Sequence, residues 1–593
     1  MEWKQSCLLS IVVTTMACQS VFGETVNARF PREAQDSNNK FIRMFPNLEA
    51  FSQRNDRVRN AVRNLGAKNG LLDAQDNMTD PVQSITNQPV FSPLNLDNPK
   101  MTAGVTFFGQ FLDHDLTLDL RSKLQEKTGP SRTVNFRTAA FDLDSLYGEG
   151  PDRSPELYVQ SDTDIKFKIE PIPGSEAVSR KGAQRFDMPR EPNGDAIIAD
   201  SRNDENLILS QFHLAMLRFH NAVTDHLKAQ QANRGLSPRE LFSLARRTVR
   251  WHYQWIILHE FLPLTIGQDR VDRIMRGGLR FFENDRGRQQ AAADRDMSLA
   301  SREDREDDRG RRDDRDRRDG RRNDCRDDDR NDDRNDRRDH QARHRNGNDD
   351  DDCRRPGPQI PVEFSVAAYR FGHSQVRPSY RANFGPDQNR QFFAFILDER
   401  QDPGLTDPED LRGGRRAPRR FIDWQTFFNF GDGNVRQNKI IDTKISTVLM
   451  EMPGARAPLP GLPDDGVQSL PSRNMMRHVN FGLPSGQAIA RRMNEPALTR
   501  EQLKDLAPFD MAESTPLWFY VLREAEVMEA GLRLGPVGSR IVGEVFIGLL
   551  RADRTSFLAS SPQWKPNLPS AGGPGTFQIT DLLKFAGVVP PLQ

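Results

Sequence analysis

The seven residues Gly109-Gln110-Phe111-Leu112-Asp113-His114-Asp115 set a histidine between two carboxylates inside an apolar helical pattern. Successive helical side chains diverge by roughly 100°, so Asp113, His114 and Asp115 must serve three different neighbours. Far along the chain, His373 ends the run Phe364-Ser-Val-Ala-Ala-Tyr-Arg-Phe-Gly-His, whose small residues would admit a flat ligand and whose imidazole suits a metal. Alone, such a histidine reads as a hydrogen-bonded core residue. Together, His114, Arg202, His373 and Asn474 supply the types a redox haem site needs: an acid–base imidazole, a fixed cation, an axial imidazole and an acceptor behind it.

The elements that would position these residues are helical. Ile208, Phe212, Ala215 and Phe219 recur at helix spacing, and Leu207, Leu214 and Leu217 add a second apolar stripe, so this helix is expected to be buried on most sides. Further helices are predicted at about 102–120, 238–263, 362–378, 499–507, 514–529 and 537–551 from the same periodicity. Pro- and Gly-rich stretches such as Leu459-Pro-Gly-Leu-Pro-Asp-Asp-Gly read as connectors, and strand-like alternation is scarce. The expected fold class is mainly α: one large helical domain with little β structure.

Residues 284–356 are dominated by Arg, Asp and Asn, with almost nothing apolar to offset ordering entropy, and are expected to be a disordered charged insertion. The domain reading is a leader at 1–23, a distal half at 24–283, this insertion, and a proximal half at 357–593. Lys4 followed by an apolar run to about Phe22 reads as a signal peptide, with lipid attachment at Cys18 as the rival, and implies a secreted protein. Cys325 and Cys353 would then remain to pair in an oxidising compartment. The 84 basic and 84 acidic residues cancel, which removes the global electrostatic reason to expect nucleic acid. No stretch reaches the roughly 18 apolar residues of a membrane span. His259-Glu260 lacks the second histidine of a zinc-protease helix, and Gly535-Pro-Val-Gly-Ser lacks the Lys-Ser/Thr of a phosphate loop.

Four ordered segments, Gly109 to Asp115, Ala199-Asp-Ser-Arg-Asn-Asp-Glu205, Tyr369-Arg-Phe-Gly-His373 and Arg473-Asn-Met, resemble the signatures of animal-type haem peroxidases in the peroxidase–cyclooxygenase superfamily. The likeness runs from about Asn27 to the C-terminus outside the insertion, and Arg533-Leu-Gly-Pro-Val-Gly-Ser-Arg-Ile-Val-Gly-Glu is most like bacterial secreted members. It implies haem b, hydrogen peroxide as oxidant, a ferryl intermediate, and halide, thiocyanate or phenolic donors. By the same resemblance His114 is the distal base, Arg202 stabilises charge as the O–O bond breaks, and Gln110, one turn before His114, reaches a distal water or halide. His373 is the axial ligand of the haem iron, with the Asn474 oxygen accepting its Nδ1–H. Arg370 faces a haem propionate, and Asp113 and Glu205 match carboxylates that become ester-linked to haem. Asn206 stands where sulfonium-forming members carry methionine, so no third bond is expected.

The resemblance also implies calcium, held by Thr138, Ala140, Asp142 and Asp144 on one side of an extended loop and by Asp115 from the distal helix. Two other readings stay open. A fatty-acid dioxygenase of the same superfamily would place a radical-forming tyrosine where Arg370 stands, and Tyr369 is one residue out of register. A secreted adhesion or matrix protein would use the charged insertion as its contact surface.

Overall fold

The computed structural model describes residues 39–86, 92–282, 357–452 except positions 388, 399 and 403, and 467–589. The leader, the charged insertion, Cys325 and Cys353 lie outside the described residues. The described residues before 284 and after 358 belong to one compact unit. It is mainly α-helical, and the described strands form four two-stranded antiparallel sheets.

The long helices sit where periodicity and capping chemistry put them. Leu207–Ala229 begins at Asn206, whose side chain accepts from the Leu209 N–H at 2.9 Å. Its two apolar stripes are both covered, and sixteen of its residues are buried. Pro238–Ile256 starts with a capping box in which the Ser237 hydroxyl and the Glu240 carboxylate satisfy each other's backbone N–H. Gly535 opens the packed helix Pro536–Ala552. A side chain at that glycine would run into Glu524, whose carboxylate accepts from Val537 N at 3.0 Å. No described helix is long and apolar enough to cross a membrane.

Gly104–Leu116 packs against Leu207–Ala229 on one side and against residues Ala368–Gln375 on another. Phe108 and Phe111 are buried, and each contributes about 1.5–3 kcal/mol relative to exposure.

The helix expected at 362–378 is not a regular α-helix. It is a π-helical turn, Glu363–Ala367, followed by a 3-10 segment, Ala368–Gln375, with a break at Ala367, whose φ of −129° and ψ of −75° leave the helical region. At three residues per turn, Arg370 and His373 come onto one edge. The break was hidden because local apolar spacing is compatible with either helix type.

Candidate active site

The distal wall is built from the end of Gly104–Leu116 and the turn Ser201–Asp204. His114 Nδ1 lies 2.9 Å from Asn203 Oδ1, and Asn203 Nδ2 lies 3.1 Å from His213 Nδ1. An amide oxygen only accepts, so the His114 proton sits on Nδ1 and its Nε2 keeps a lone pair. Burial, then the Arg202 charge, bring the His114 pKa down to about 3, so the ring is neutral at neutral pH.

Arg202 Nε and Nη2 reach Asp200 at 3.0 and 2.7 Å, while Nη1 and Nη2 donate to the Thr117 and His114 carbonyls at 2.7 and 2.9 Å. Burial alone would raise Asp200, but the Arg202 and Arg137 guanidiniums outweigh it and hold its carboxyl below the usual range. Arg202 therefore clamps the C-terminal end of the distal helix. Gln110 donates to Glu205, and its own oxygen accepts from Asn206 Nδ2 at 3.3 Å. Burial pushes the Glu205 carboxyl up to about 7 and raises Asp113, whose oxygen accepts from Thr117 Oγ1 at 3.1 Å.

The proximal wall comes from the 3-10 segment and the helix Leu470–Asn480. Asn474 Nδ2 lies 2.7 Å from His373 Nδ1, and Asn474 Oδ1 accepts from Arg370 Nη1 at 2.7 Å. This reverses the amide orientation expected from the sequence. A guanidinium can only donate, so it claims the oxygen and leaves the NH2 group for the imidazole. His373 is brought down to about 3 by burial and then by Arg370, while burial lowers Arg370 to about 10.

The two walls lie against each other, since Gly104–Leu116 packs on Ala368–Gln375 and Asp113 and Arg370 feel each other's charge. Glu205 is exposed, and Gln110, Asp113, Arg370 and His373 are half-buried. A Cβ built on Gly372, beside His373, would meet nothing within 4 Å. The Tyr369 hydroxyl donates to Gly109 O at 3.0 Å, joining the two walls directly. Two imidazoles, two carboxylates and an arginine on these packed segments suit a flat, anionic, metal-bearing ring such as haem.

A second cluster lies behind His114. One carboxylate oxygen from each of Asp115, Asp142 and Asp144 falls within 4.8 Å of the others, a spread that suits calcium ligands at about 2.3–2.6 Å from the ion. Thr138 Oγ1 is 2.9 Å from Asp142 Oδ1, and Ala140 is half-buried in the same loop. Burial raises all three carboxyls, and mutual repulsion adds to it at Asp115 and Asp144, which reaches about 7. The loop is bent rather than extended. Leu143 adopts φ +62°, and Asp144 then opens the short helix Asp144–Tyr147. The bend, not strand alternation, gathers the oxygens.

Sequence reasoning passed over Asn203, His213 and Arg137. Asn203 lay inside a quoted segment, but its partners at 114 and 213 are remote in sequence. His213 sits among apolar helix residues and reads as core. Arg137 gave no signal.

The family model described as animal haem peroxidase matches residues 119–286. That stretch contains Thr138, Asp142, Asp144, Arg202 and Glu205, and leaves His114, His373 and Asn474 outside. No curated protein matches the sequence. Among solved structures, peroxidase A of Dictyostelium discoideum aligns at 15% identity over 87% of this chain and 88% of its own, with a TM-score of 0.47. The fatty acid alpha-dioxygenase of Oryza sativa aligns at 13% identity over 87% and 82%, with a TM-score of 0.46. That of Arabidopsis thaliana aligns at 13% identity over 88% and 80%, with a TM-score of 0.45. Likeness at this level does not separate one reaction from another. By sequence, residues 119–286 of this chain are similar to animal haem peroxidase.

Proposed function

We propose that the protein is a haem peroxidase that reduces hydrogen peroxide and oxidises small halide, thiocyanate or phenolic donors, with haem b between the walls and calcium at the Asp115 cluster. The observation that carries this reading is His114, neutral and with Nε2 unprotonated, on a helix that packs against the segment carrying His373. When bound, haem would supply a redox-active iron. The chain's own part is proton handling and placement. His114 Nε2 takes a proton from hydrogen peroxide and returns it to the departing oxygen, a role worth about 10²–10⁴-fold.

Four of Arg202's five N–H groups are spent on Asp200, Thr117 and His114. It fixes the helix end that carries His114 and keeps one donor for developing charge. Gln110 is steadied by Glu205 and Asn206 beside His114. His373 would hold the iron, Arg370 would meet a carboxylate of the ring, and Asp113 and Glu205 would be the carboxylates that form ester bonds to it. For His373 to offer Nε2, the Asn474 amide must turn so that its oxygen faces Nδ1, which requires Arg370 to release it. Asp115, Asp142, Asp144, Thr138 and the Ala140 carbonyl would hold calcium. The apolar run ahead of Glu24 supports export of the protein.

Peroxide-dependent oxidation of guaiacol or bromide by the haem-loaded protein tests the reading. His114→Ala should lower the rate by about 10²–10⁴-fold while haem content is retained. Equal rates would remove His114 from the chemistry. Oxygen-dependent oxidation of a fatty acid without peroxide would favour a dioxygenase instead.

A further inference from the structure

Two positive charges bear on the carboxylate cluster: Arg246 acts on Asp142, and Arg137, whose side chain is fully buried, acts on Asp144. Its Nε and Nη2 donate to Asp200 Oδ2 at 2.9 and 2.6 Å, and Nη2 also reaches Ala199 O at 3.2 Å. Its Nη1 stands 3.6 Å from Asp144 Oδ1, an ion-pair distance too long for a hydrogen bond. Asp144 Oδ2 accepts from Thr138 N at 3.1 Å, whereas Oδ1 is buried and has no hydrogen-bond partner. That oxygen is presented to positive charge without being satisfied by a donor. Asp200, itself gripped by Arg202, anchors Arg137 through two N–H groups, so the guanidinium cannot swing away.

We propose that Arg137 is a built-in counter-charge that competes with a divalent cation for Asp144, weakening cation binding while keeping the buried carboxylates folded when no cation is bound. The proposal rests on the cation site put forward above. A divalent ion ligated by Asp144 would sit a few ångströms from a fixed guanidinium. Even at an effective dielectric of about 20, that repulsion is worth at least about tenfold in affinity. Without a cation the same guanidinium attracts Asp144 and Asp115 and so offsets part of the repulsion within the cluster. Arg137 thus acts in opposite directions on the two states.

The test is calorimetric titration of calcium chloride into chelator-stripped full-length protein. It compares wild type with Arg137→Gln, with Arg137→Met, which keeps more of the apolar stem, and with Arg239→Gln, which removes an exposed arginine paired with Asp152. The expected result is at least about tenfold tighter binding in whichever Arg137 variant folds. Arg239→Gln should match wild type. Without calcium the Arg137 variants should melt below wild type, and calcium should raise their melting temperature by more. Wild-type affinity, or weaker, in a folded Arg137 variant would overturn the proposal and leave the cation site standing. No calcium binding by wild type or variants would overturn both, without touching the haem reading.

Discussion

The distal and proximal walls are organised in opposite ways. On the distal wall every polar group that sets His114 is itself protein: Asn203 takes Nδ1–H, His213 takes the Asn203 amide, and Arg202 ties the helix end to Asp200. On the proximal wall the His373 ring, proposed to bind iron, faces an amide NH2, because Arg370 holds the amide oxygen. The difference teaches that the tautomer of His114 is set by contacts within the folded chain, whereas that of His373 depends on what Arg370 binds. If His373 binds iron as proposed, an anionic group that draws Arg370 away would free the Asn474 oxygen for Nδ1–H.

The most disruptive way to break this comparison is Asn203→Leu. It removes the acceptor for His114 Nδ1–H and should lower peroxide-dependent turnover by about 10²-fold, the lower end of the span expected for acid–base groups. His213→Leu, which acts only through Asn203, should cost less. Nitrogen-15 NMR of histidine-labelled, cofactor-free protein gives a readout that misfolding would not mimic. Wild type should show His114 protonated at Nδ1 and His373 at Nε2, and Asn203→Leu should change the first and spare the second. His114 and His373 sharing one tautomer would erase the contrast.

A smaller effect separates what the two walls have in common. Both histidines are brought down to about 3 in the folded protein, from an ordinary value near 6.5. Below that ordinary value the unfolded chain binds protons that the folded protein refuses. The stability contribution of each is therefore present above pH 6.5 and lost as pH falls toward 3. Denaturant midpoints of cofactor-free protein should decline over that window, and His114→Gln and His373→Gln should each flatten the decline. An unchanged slope in both variants would contradict the burial argument.

Much of this site was legible in sequence because helical spacing is local. Gln110 and His114 share a face, Asp113 and Asp115 leave it, and Arg370 and His373 fall one turn apart. The 3-10 segment even sharpens that last relation. What sequence did not show depends on partners far away in the chain. The Asn203–His213 bridge needs Leu207–Ala229 packed against Gly104–Leu116, and a histidine inside an apolar stripe gives no sign of that. Arg137 gains meaning only once residues 144 and 200 approach it. The turn at Leu143 escaped because a left-handed leucine has no local signature.

The central claim is that His373 binds iron with His114 on the facing wall. Titration of cofactor-free protein with haem, followed by absorption spectroscopy, tests it most directly with wild type, His373→Ala and His114→Ala side by side. The account predicts one haem per chain with an imidazole-ligated spectrum in wild type, the same ligation in His114→Ala, and its loss in His373→Ala. Unchanged ligation in His373→Ala, or no uptake by wild type, would contradict it.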